Sequence, residues 1–507
     1  MAKYILAHDV GTSGNKATLY TTDGELVRSA VHAYDTYYSY GSWAEQNPED
    51  WWQAVCRATQ EVLRGIDPQS IVCVSFSAQM MGCVCVDKGG RPLRNSLIHS
   101  DYRATKEAEA VLEKIDPMEF YRITGHLCSA SYSLAKLIWI KDNEPDVYRN
   151  TYKMVQAKDY LAYKLTGQLV TDYSDASGTN AFDIHANQWS EKIIELAGLD
   201  LDKFPELKPS THVVGEVTAE AARETGLRAG TPVVLGAGDG GCATVGAGSI
   251  KPGIAYNYIG SSSWIGITTE KPVIDEKRRT VTWAHPVPGY LAPMGTMQTA
   301  GSSYSWVKNE ICKLEAQEAE AQGISPYEII NAEIEQSPPG ARGVLFLPYL
   351  LGERAPHWNP NAKGCFLGIT MAHKREDLLR AVMEGISYNL STILRIFDGH
   401  VSIEEMIVIG GGAKGAVWRQ MLADIYQRPV LKPNFLEEAT SLGAVVIGGV
   451  GVGEFKDFDV IGKFLTIEDR HEPNPANREI YEKTYRVFAN AYDALVDIFD
   501  QITALSK

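Results

Sequence analysis

Several chemical signatures are missing from this chain of 507 residues. It has no GxxxxGKS or GxxxxGKT motif, which excludes a P-loop nucleotide site. The eight cysteines form no CxxC pair, and the alternation of Cys83 and Cys85 within an apolar stretch favours buried thiols on a strand over a metal site. No uninterrupted apolar run reaches the roughly 18 residues of a membrane-spanning helix.

Positive charge is also in short supply. The 48 lysines and arginines face 63 aspartates and glutamates, which gives a formal net charge of −15. This balance argues against nucleic-acid binding, because a phosphate backbone attracts basic patches, whereas one ATP needs only local donors and a metal ion. The N-terminal apolar stretch turns polar at His8 and Asp9, too early for a signal peptide. We therefore expect a cytoplasmic protein that binds neither nucleic acid nor a membrane.

The first half of the chain has the pattern of an α/β domain. Residues Tyr4 to Val10 predict a strand, Gly11 to Gly14 a turn, and Lys16 to Tyr20 a second strand. Strands and helices then alternate to about residue 248, where a segment rich in chain-breaking residues follows.

The opening pattern returns in the second half. A strand, a turn that begins Gly260-Ser261-Ser262 and a second strand follow one another over residues 255–268. This repetition predicts two halves of one architecture, with domains at 1–249 and 250–507. The tail, residues 477–506, has helical apolar spacing, and we expect it to pack back on the first domain.

Three short segments contain candidate chemistry. The turn Gly11-Thr12-Ser13-Gly14 offers backbone N–H groups and hydroxyls to a phosphate, and Asp9 before it suits the orientation of a hydrated Mg²⁺. Taken alone, this segment also fits a plain hairpin turn with a hydrogen-bonded Asp.

The other two segments are equally open when taken alone. Gly410-Gly411-Gly412 joins a buried strand to a helix, which permits adenine and ribose to lie against bare backbone or simply makes a tight turn. Asp239 ends an apolar strand among small residues, where it suits a base for phosphoryl transfer or a helix N-cap.

Two longer segments carry a resemblance to a known family. Ser131 to Asn143 (SYSLAKLIWIKDN) and Gly364 to Glu384 resemble the two signatures of the FGGY carbohydrate kinases, and the match extends over essentially the whole chain. The segment Glu438 to Ala444 is most similar to the xylulokinase branch. The resemblance implies an α/β fold of two ribonuclease-H-like (actin-like ATPase) domains flanking a central catalytic cleft. It also implies ATP with Mg²⁺, a small sugar or polyol substrate and, since many relatives are dimers, a homodimer.

The resemblance also assigns roles to individual residues. Asp239 matches the catalytic base, and Asp9 matches the residue that holds Mg²⁺ through water. The ATP and phosphate contacts are expected at Gly11, Thr12, Ser13, Gly260, Ser261, Gly301, Gly411, Gly412 and Ala413. The substrate contacts are expected at Gln79, Met81, Asp101 and Asp239.

Some residues near these positions depart from the xylulokinase pattern. Met81 stands where xylulokinases have a histidine that touches the sugar, and Gly240 stands where they have asparagine. The pair Asp239-Gly240 is closer to the gluconate kinase branch. We therefore expect an ATP-dependent, xylulokinase-like sugar kinase acting on a small ketose or polyol. A gluconate or other polyol or ketose kinase is the alternative, and a nucleotide-binding sensor without turnover is a third reading.

Overall fold

The computed structural model describes residues 2–505, which pack as two compact units. The first unit comprises the chain up to Pro252 together with Thr268–Pro293 and Glu438–Leu465. The second comprises Gly253–Ile267, Met294–Glu437 and the chain from Thr466 on. The chain thus first passes between the units close to the expected boundary, but two later segments return to the first unit. The domain limits at 1–249 and 250–507 stay a prediction.

Most strands are short and join seven sheets. The strands are β1 Tyr4–Val10, β2 Gly14–Thr21, β3 Leu26–Ala33, β4 Tyr37–Ser39, β5 Trp43–Gln46, β6 Ile71–Ala78, β7 Val84–Val86, β8 Ser96–Leu97, β9 Lys153–Val155, β10 Val170–Asp172, β11 Phe182–Asp183, β12 Gln188–Trp189, β13 Glu206–Lys208, β14 Val213–Glu216, β15 Pro232–Val234, β16 Ala237–Gly238, β17 Ala255–Ile259, β18 Ser263–Ile267, β19 Val281–Ala284, β20 Leu291–Met297, β21 Leu345–Leu347, β22 Cys365–Leu367, β23 Met406–Ile409, β24 Val430–Pro433 and β25 Ile467–His471.

The α-helices are distributed among these strands, singly or in groups. They are α1 Pro48–Val62, α2 Thr105–Leu112, α3 Pro117–Thr124, α4 Ser133–Asn143, α5 Pro145–Asn150, α6 Ala157–Thr166, α7 Tyr173–Ser177, α8 Glu191–Leu196, α9 Ala219–Thr225, α10 Asp239–Gly246, α11 Gly301–Trp306, α12 Lys313–Gln322, α13 Pro326–Ile334, α14 Arg375–Asp398, α15 Ala416–Tyr426, α16 Ala439–Gly451, α17 Ile461–Phe464 and α18 Arg478–Leu505.

Each unit is built on a sheet with the same internal order. In the first unit the strands run β14-β15-β6-β1-β2-β3, with β1 antiparallel to β2 and parallel to β6. In the second, written in the same direction, they run β25-β24-β23-β17-β18-β20-β19, with β17 antiparallel to β18 and parallel to β23. The repetition predicted from the two hairpins is therefore present, and the α/β fold with two related domains is confirmed.

A helix from late in the chain completes the first unit. Helix α16 packs on β1, β6 and α10. Its contact with α10 depends on glycine at two positions, because a Cβ on Gly443 would lie 1.9 Å from the carbonyl oxygen of Cys242. A Cβ on Gly246 would lie 1.8 Å from the carbonyl oxygen of Ala439. The two helix backbones therefore approach each other directly, without intervening side chains.

The last helix belongs to the second unit. Helix α18 packs on α14, α15 and β21. It buries Tyr481, Phe488, Tyr492 and Phe499. These contacts are within the second unit, whereas we expected the helix to pack back on the first domain. The bounds of α18 agree closely with the helix predicted over residues 477–506. Ser506 and Lys507 lie outside the described residues. Within residues 2–505, no helix has both the length and the apolar character that a membrane crossing requires.

The contact between α10 and α16 yields a stability prediction. We expect Gly443→Ala to lower the free energy of unfolding by about 1–3 kcal/mol or more, because the new methyl group meets backbone that cannot move aside. Urea unfolding followed by circular dichroism would measure the change.

Gly462→Ala is the matched control. Gly462 lies on α17 of the same unit, and no heavy atom lies within 4 Å of the position its Cβ would take. This substitution is expected to stabilise by about 0.4–1 kcal/mol. Equal unfolding midpoints for the two variants would contradict the packing argument.

Candidate active site

Two carboxylates lie at the carboxyl ends of two parallel strands of the first unit, β1 and β16, which both pair with β6. Asp9 lies near the end of β1, opposite Ser77 of β6. Asp239 follows β16, whose last residue, Gly238, pairs with Ala78 on the same β6. Because the carboxyl ends of parallel strands meet at one edge of a sheet, the two acids are brought close enough for the charge of one to act on the other.

Hydroxyl groups hold both oxygens of Asp9. Ser77 Oγ donates to Oδ1 at 2.9 Å, and Thr440 Oγ1 donates to Oδ2 at 2.7 Å. Burial raises the pKa of Asp9, whereas these two hydrogen bonds and the charge of Lys16 oppose the rise. Thr440 lies in the first turn of α16, so the packing of that helix places a hydrogen-bond donor on Asp9.

Asp239 is the first residue of α10, and the N-cap position is taken by Gly238. The residue is exposed, yet enough protein surrounds its carboxylate to remove part of its hydration. Burial and the charge of Asp9 raise the pKa of Asp239 to about 7, against a hydrogen bond from the N–H of Gly240. A carboxylate that titrates near neutral pH is well matched to general-base chemistry.

The first predicted phosphate turn joins β1 to β2. The N–H of Gly11 donates to the carbonyl of Gly14 at 2.9 Å. Thr12 is half-buried and Ser13 is exposed, so the Ser13 hydroxyl is open to a ligand. The turn is held from outside by Gln46, whose Nε2 donates to the carbonyl of Thr12 at 2.6 Å.

Gln46 also contacts the predicted substrate residue Gln79. Gln79 Nε2 donates to Gln46 Oε1 at 2.7 Å. Gln79 Oε1 is buried and has no hydrogen-bond partner among the described residues. One glutamine, which the sequence did not single out, therefore links the phosphate turn to Gln79.

Met81 has a backbone conformation that is rare for its residue type. Its φ is 63°, and its carbonyl accepts a hydrogen bond from Lys136 Nζ at 2.8 Å. Lys136 has no exposed surface, and burial lowers its pKa to about 7 despite the charge of Asp101. The lysine of the first family signature thus fixes the backbone at Met81.

Asp101 is not brought to an open surface. It has no exposed area, and its oxygens accept hydrogen bonds from Arg103 Nε and Nη2 and from the N–H of Ala44. The Arg103 guanidinium lies 3.8 Å from the centre of the Trp43 ring and 4.9 Å from that of Trp139. Asp101 therefore holds a buried arginine in this structure, and the arrangement leaves it no free oxygen for a sugar.

Three glycine-containing turns meet in the second unit. The N–H of Gly301 donates to the carbonyl of Gly260 at 2.9 Å, and the N–H of Ser302 donates to that of Ser261 at 3.0 Å. A Cβ on Gly412 would lie 2.4 Å from Cγ2 of Ile259. The absence of side chains at these glycines is what lets the turns approach so closely.

These turns form one side of a cavity of about 660 Å³, within the usual range for small-molecule sites. Five of the predicted contacts line it, namely Gly260, Ser261, Gly301, Gly411 and Gly412. Ala413 is buried and does not line it. The remaining lining residues are Ile259, Tyr304, Ser305, Ser325, Tyr327, Glu328, Asn331, Lys414, Gly415 and Trp418.

The polar and aromatic part of this lining was not predicted from the sequence. Tyr304 donates to Asn331 Oδ1 at 2.7 Å, and its ring centre lies 4.9 Å from that of Tyr327. Trp418 lies in a helix whose apolar spacing was apparent, but no pattern indicated that its ring faces a cavity. A flat apolar ligand with polar edges would find aromatic rings and bare backbone here.

Comparison with known proteins identifies the same two halves. Models of the N-terminal and C-terminal domains of the FGGY family of carbohydrate kinases match residues 4–246 and 255–452. The gluconokinase of Bacillus licheniformis is 33% identical over 510 residues, which cover 99% of this chain and 98% of that protein. The xylulose kinase of Bacillus subtilis (strain 168) is 31% identical over 509 residues, with 100% of both chains covered. The solved structure of a ligand-bound xylulose kinase from Lactobacillus acidophilus has a TM-score of 0.91 at 26% identity, covering 99% of this chain and 100% of that chain.

The cavity yields a prediction about nucleotide binding. No heavy atom lies within 4 Å of the position that a Cβ on Gly411 would take, so Gly411→Leu places its side chain in open cavity space. We expect this variant to keep its unfolding temperature but to bind ATP at least about tenfold more weakly, or about 1.4 kcal/mol. Isothermal titration calorimetry with a non-hydrolysable ATP analogue would measure the change.

Gly462→Leu, which adds the same side chain at an exposed position, is the control and should bind the analogue as the parent protein does. Unchanged affinity in Gly411→Leu would show that the nucleotide does not occupy this cavity.

Proposed function

Because the chain belongs to the FGGY family of carbohydrate kinases, we propose that it transfers the γ-phosphoryl group of ATP to a hydroxyl of a small ketose, polyol or sugar acid. The observation that carries the proposal is the exposed carboxylate of Asp239, whose pKa is raised to about 7 beside Asp9. Phosphoryl transfer asks the protein mainly for positioning, a base and donors where charge builds.

Asp239 acts as the base in this proposal. The substrate hydroxyl oxygen forms a bond to the γ-phosphorus, the bond from that phosphorus to the bridging oxygen breaks, and ADP leaves with the electron pair. The hydroxyl proton passes to a carboxylate oxygen of Asp239. Base catalysis of this type typically contributes about 10²–10⁴-fold.

The residues near Asp9 fit a hydrated Mg²⁺. Among residues 2–505, no group of three or more His, Cys, Asp or Glu side chains could enclose a metal ion. Mg²⁺ in kinases usually needs only one or two carboxylates, completed by phosphate oxygens and water. Asp9, oriented by Ser77 and Thr440, would hold the ion through water. When bound, Mg²⁺ neutralises charge on the phosphates.

The phosphates and the nucleoside have separate contacts in the proposal. The turn at Gly11, Thr12 and Ser13 and the turn at Gly260 and Ser261 supply N–H and hydroxyl donors to phosphate oxygens. The cavity lined by Gly301, Gly411 and Gly412 receives the adenosine, next to the buried residue Ala413 in the chain.

The choice of substrate lies between two named possibilities. The similar proteins include both a gluconokinase and a xylulose kinase. Met81 offers a thioether where xylulokinases have an imidazole, and Gly240 offers no side chain, so each lost polar contact would weaken discrimination in favour of xylulose by about 1–3 kcal/mol. Gln79, whose Oε1 is buried without a hydrogen-bond partner among the described residues, is the proposed polar contact to the substrate.

The proposal also covers the setting in which the enzyme acts. Sugar and ATP are its small-molecule partners. A cytoplasmic location and a homodimer follow from the family resemblance, and sedimentation velocity of the purified protein would test the dimer.

A substitution at Asp239 tests the base. We expect Asp239→Asn to lower kcat at least about 10²-fold while ATP binding is retained, because the amide cannot accept the proton. A coupled assay of ADP release and calorimetry with an ATP analogue would measure the two quantities.

Asp142→Asn, an exposed acid on α4 of the same unit, should keep the parent kcat. Normal turnover by Asp239→Asn would show that another group takes the proton.

A substrate panel tests the reaction itself. ADP release with Mg-ATP should rise well above a sugar-free blank for one compound among D- and L-xylulose, D- and L-ribulose, gluconate, glycerol and erythritol. Preference for gluconate would support a role of Met81 and Gly240 in specificity, and preference for D-xylulose would show that neither departure matters. No stimulation by any member, with ATP still bound, would refute the proposed reaction.

A further inference from the structure

A buried cluster of charges lies in the first unit, outside the contacts described so far. Lys158 Nζ is 2.6 Å from Asp159 Oδ1, 2.9 Å from Asp172 Oδ1 and 3.0 Å from Asp175 Oδ2. None of the four side chains has exposed surface. Burying an ion costs free energy unless the ion is paired and hydrogen-bonded. The presence of four buried ionisable side chains therefore suggests that the cluster has a role beyond stability.

Asp172 is the best-satisfied acid of the cluster. Its Oδ2 accepts hydrogen bonds from Ser174 Oγ at 2.6 Å, from Ser210 Oγ at 2.6 Å and from the N–H of Ser174 at 2.9 Å. Burial acts against its charged form, but Lys158 and the two serine hydroxyls hold the pKa of Asp172 below its usual value. Asp172 is therefore the ionised partner of Lys158.

The cluster reaches the candidate active site through one hydroxyl. Ser174 uses its proton to donate to Asp172, so its oxygen is free to accept. It accepts from the N–H of Gly238 at 3.0 Å. Gly238 is the residue immediately before Asp239, and the bond fixes the peptide that joins Ala237 to Gly238, one residue ahead of the Asp239 side chain.

The backbone before Asp239 also packs closely on β6 and on the residues that follow it. Ala237 and Gly238 pair with Ser77 and Ala78 of β6, and a Cβ on Gly236 would lie 1.9 Å from the carbonyl oxygen of Phe76. A Cβ on Gly238 would lie 2.4 Å from Sδ of Met80, just beyond β6. The hydrogen bond from Ser174 adds to these constraints on the same backbone.

We propose that Ser174, held by Asp172 and Lys158, is a positioning residue that sets the backbone of Gly238 and so aims the carboxylate of Asp239 at the substrate hydroxyl. The inference rests on the proposed function, in which Asp239 is the base. A misplacement of about 1 Å in a reacting group can cost on the order of 10²-fold in rate. The cluster therefore has a catalytic consequence although none of its members touches the substrate.

The test is a double-mutant cycle with Ser174→Ala and Asp239→Asn. We expect Ser174→Ala to lower kcat about tenfold to a hundredfold, with the KM values for ATP and sugar changed less than about twofold, because binding groups stay in place. In the Asp239→Asn background, Ser174→Ala should cause no further loss, because the group it positions is already gone.

Two further variants keep the test decisive. Ser177→Ala removes a buried hydroxyl from the same helix, α7, which contacts the carbonyl of Ser174 and the N–H of Ala284 but not Gly238, and it should keep the parent kcat. If Ser174→Ala does not fold, Ser210→Ala takes its place, since it removes one hydrogen bond from Asp172. It should lower kcat less, again without a change in KM.

The outcomes separate the two proposals. An equal loss from Ser174→Ala in both backgrounds, or a rise in KM with kcat unchanged, overturns the positioning role. Parent-like kcat in Ser174→Ala beside an inactive Asp239→Asn overturns the positioning role alone. Parent-like kcat in Asp239→Asn overturns the proposed base and this inference together.

Discussion

The direct approach of two helix backbones is the constraint on which the first unit depends. Gly246 and Gly443 leave α10 and α16 in contact without side chains between them. Asp239 is the first residue of α10, and Thr440, in the first turn of α16, donates a hydrogen bond to Asp9. The position of Asp239 relative to Thr440 therefore depends on how closely α10 and α16 pack. Larger residues at the contact would separate the two helices.

The first unit places two carboxylates, Asp9 and Asp239, where burial disfavours their ionised forms. Burial raises the pKa of both Asp9 and Asp239, and the charge of Asp9 raises the pKa of Asp239 further. The buried lysine that could neutralise an acid, Lys158, is instead surrounded by its own three carboxylates. The ionised forms of Asp9 and Asp239 are therefore only partly compensated by positive charge from the protein. A cation that binds together with a nucleotide would stabilise these ionised forms.

Most of the fold could be predicted from local sequence patterns. The features that could not be predicted depend on contacts between residues far apart in the chain. The two hairpins were predictable because strand, turn and strand are adjacent in the chain, and the glycines of the cavity were predictable because runs of glycine are rare. Thr440 was not, because it meets Asp9 across 431 positions of sequence, and Ser174 meets Gly238 across 64. The pairing of Asp101 with Arg103 inside the protein was likewise not indicated by the sequence.

The return of α16 to the first unit also determines when that unit can finish folding during synthesis. A ribosome completes α10, the last made of β1, β6 and α10, nearly two hundred residues before it begins the helix that packs on all three. Until the nascent chain has passed Gly451, the apolar faces of those elements have no permanent cover. The first unit cannot reach its final packing during translation of its own N-terminal segment, and must wait for the second unit to be synthesised in between.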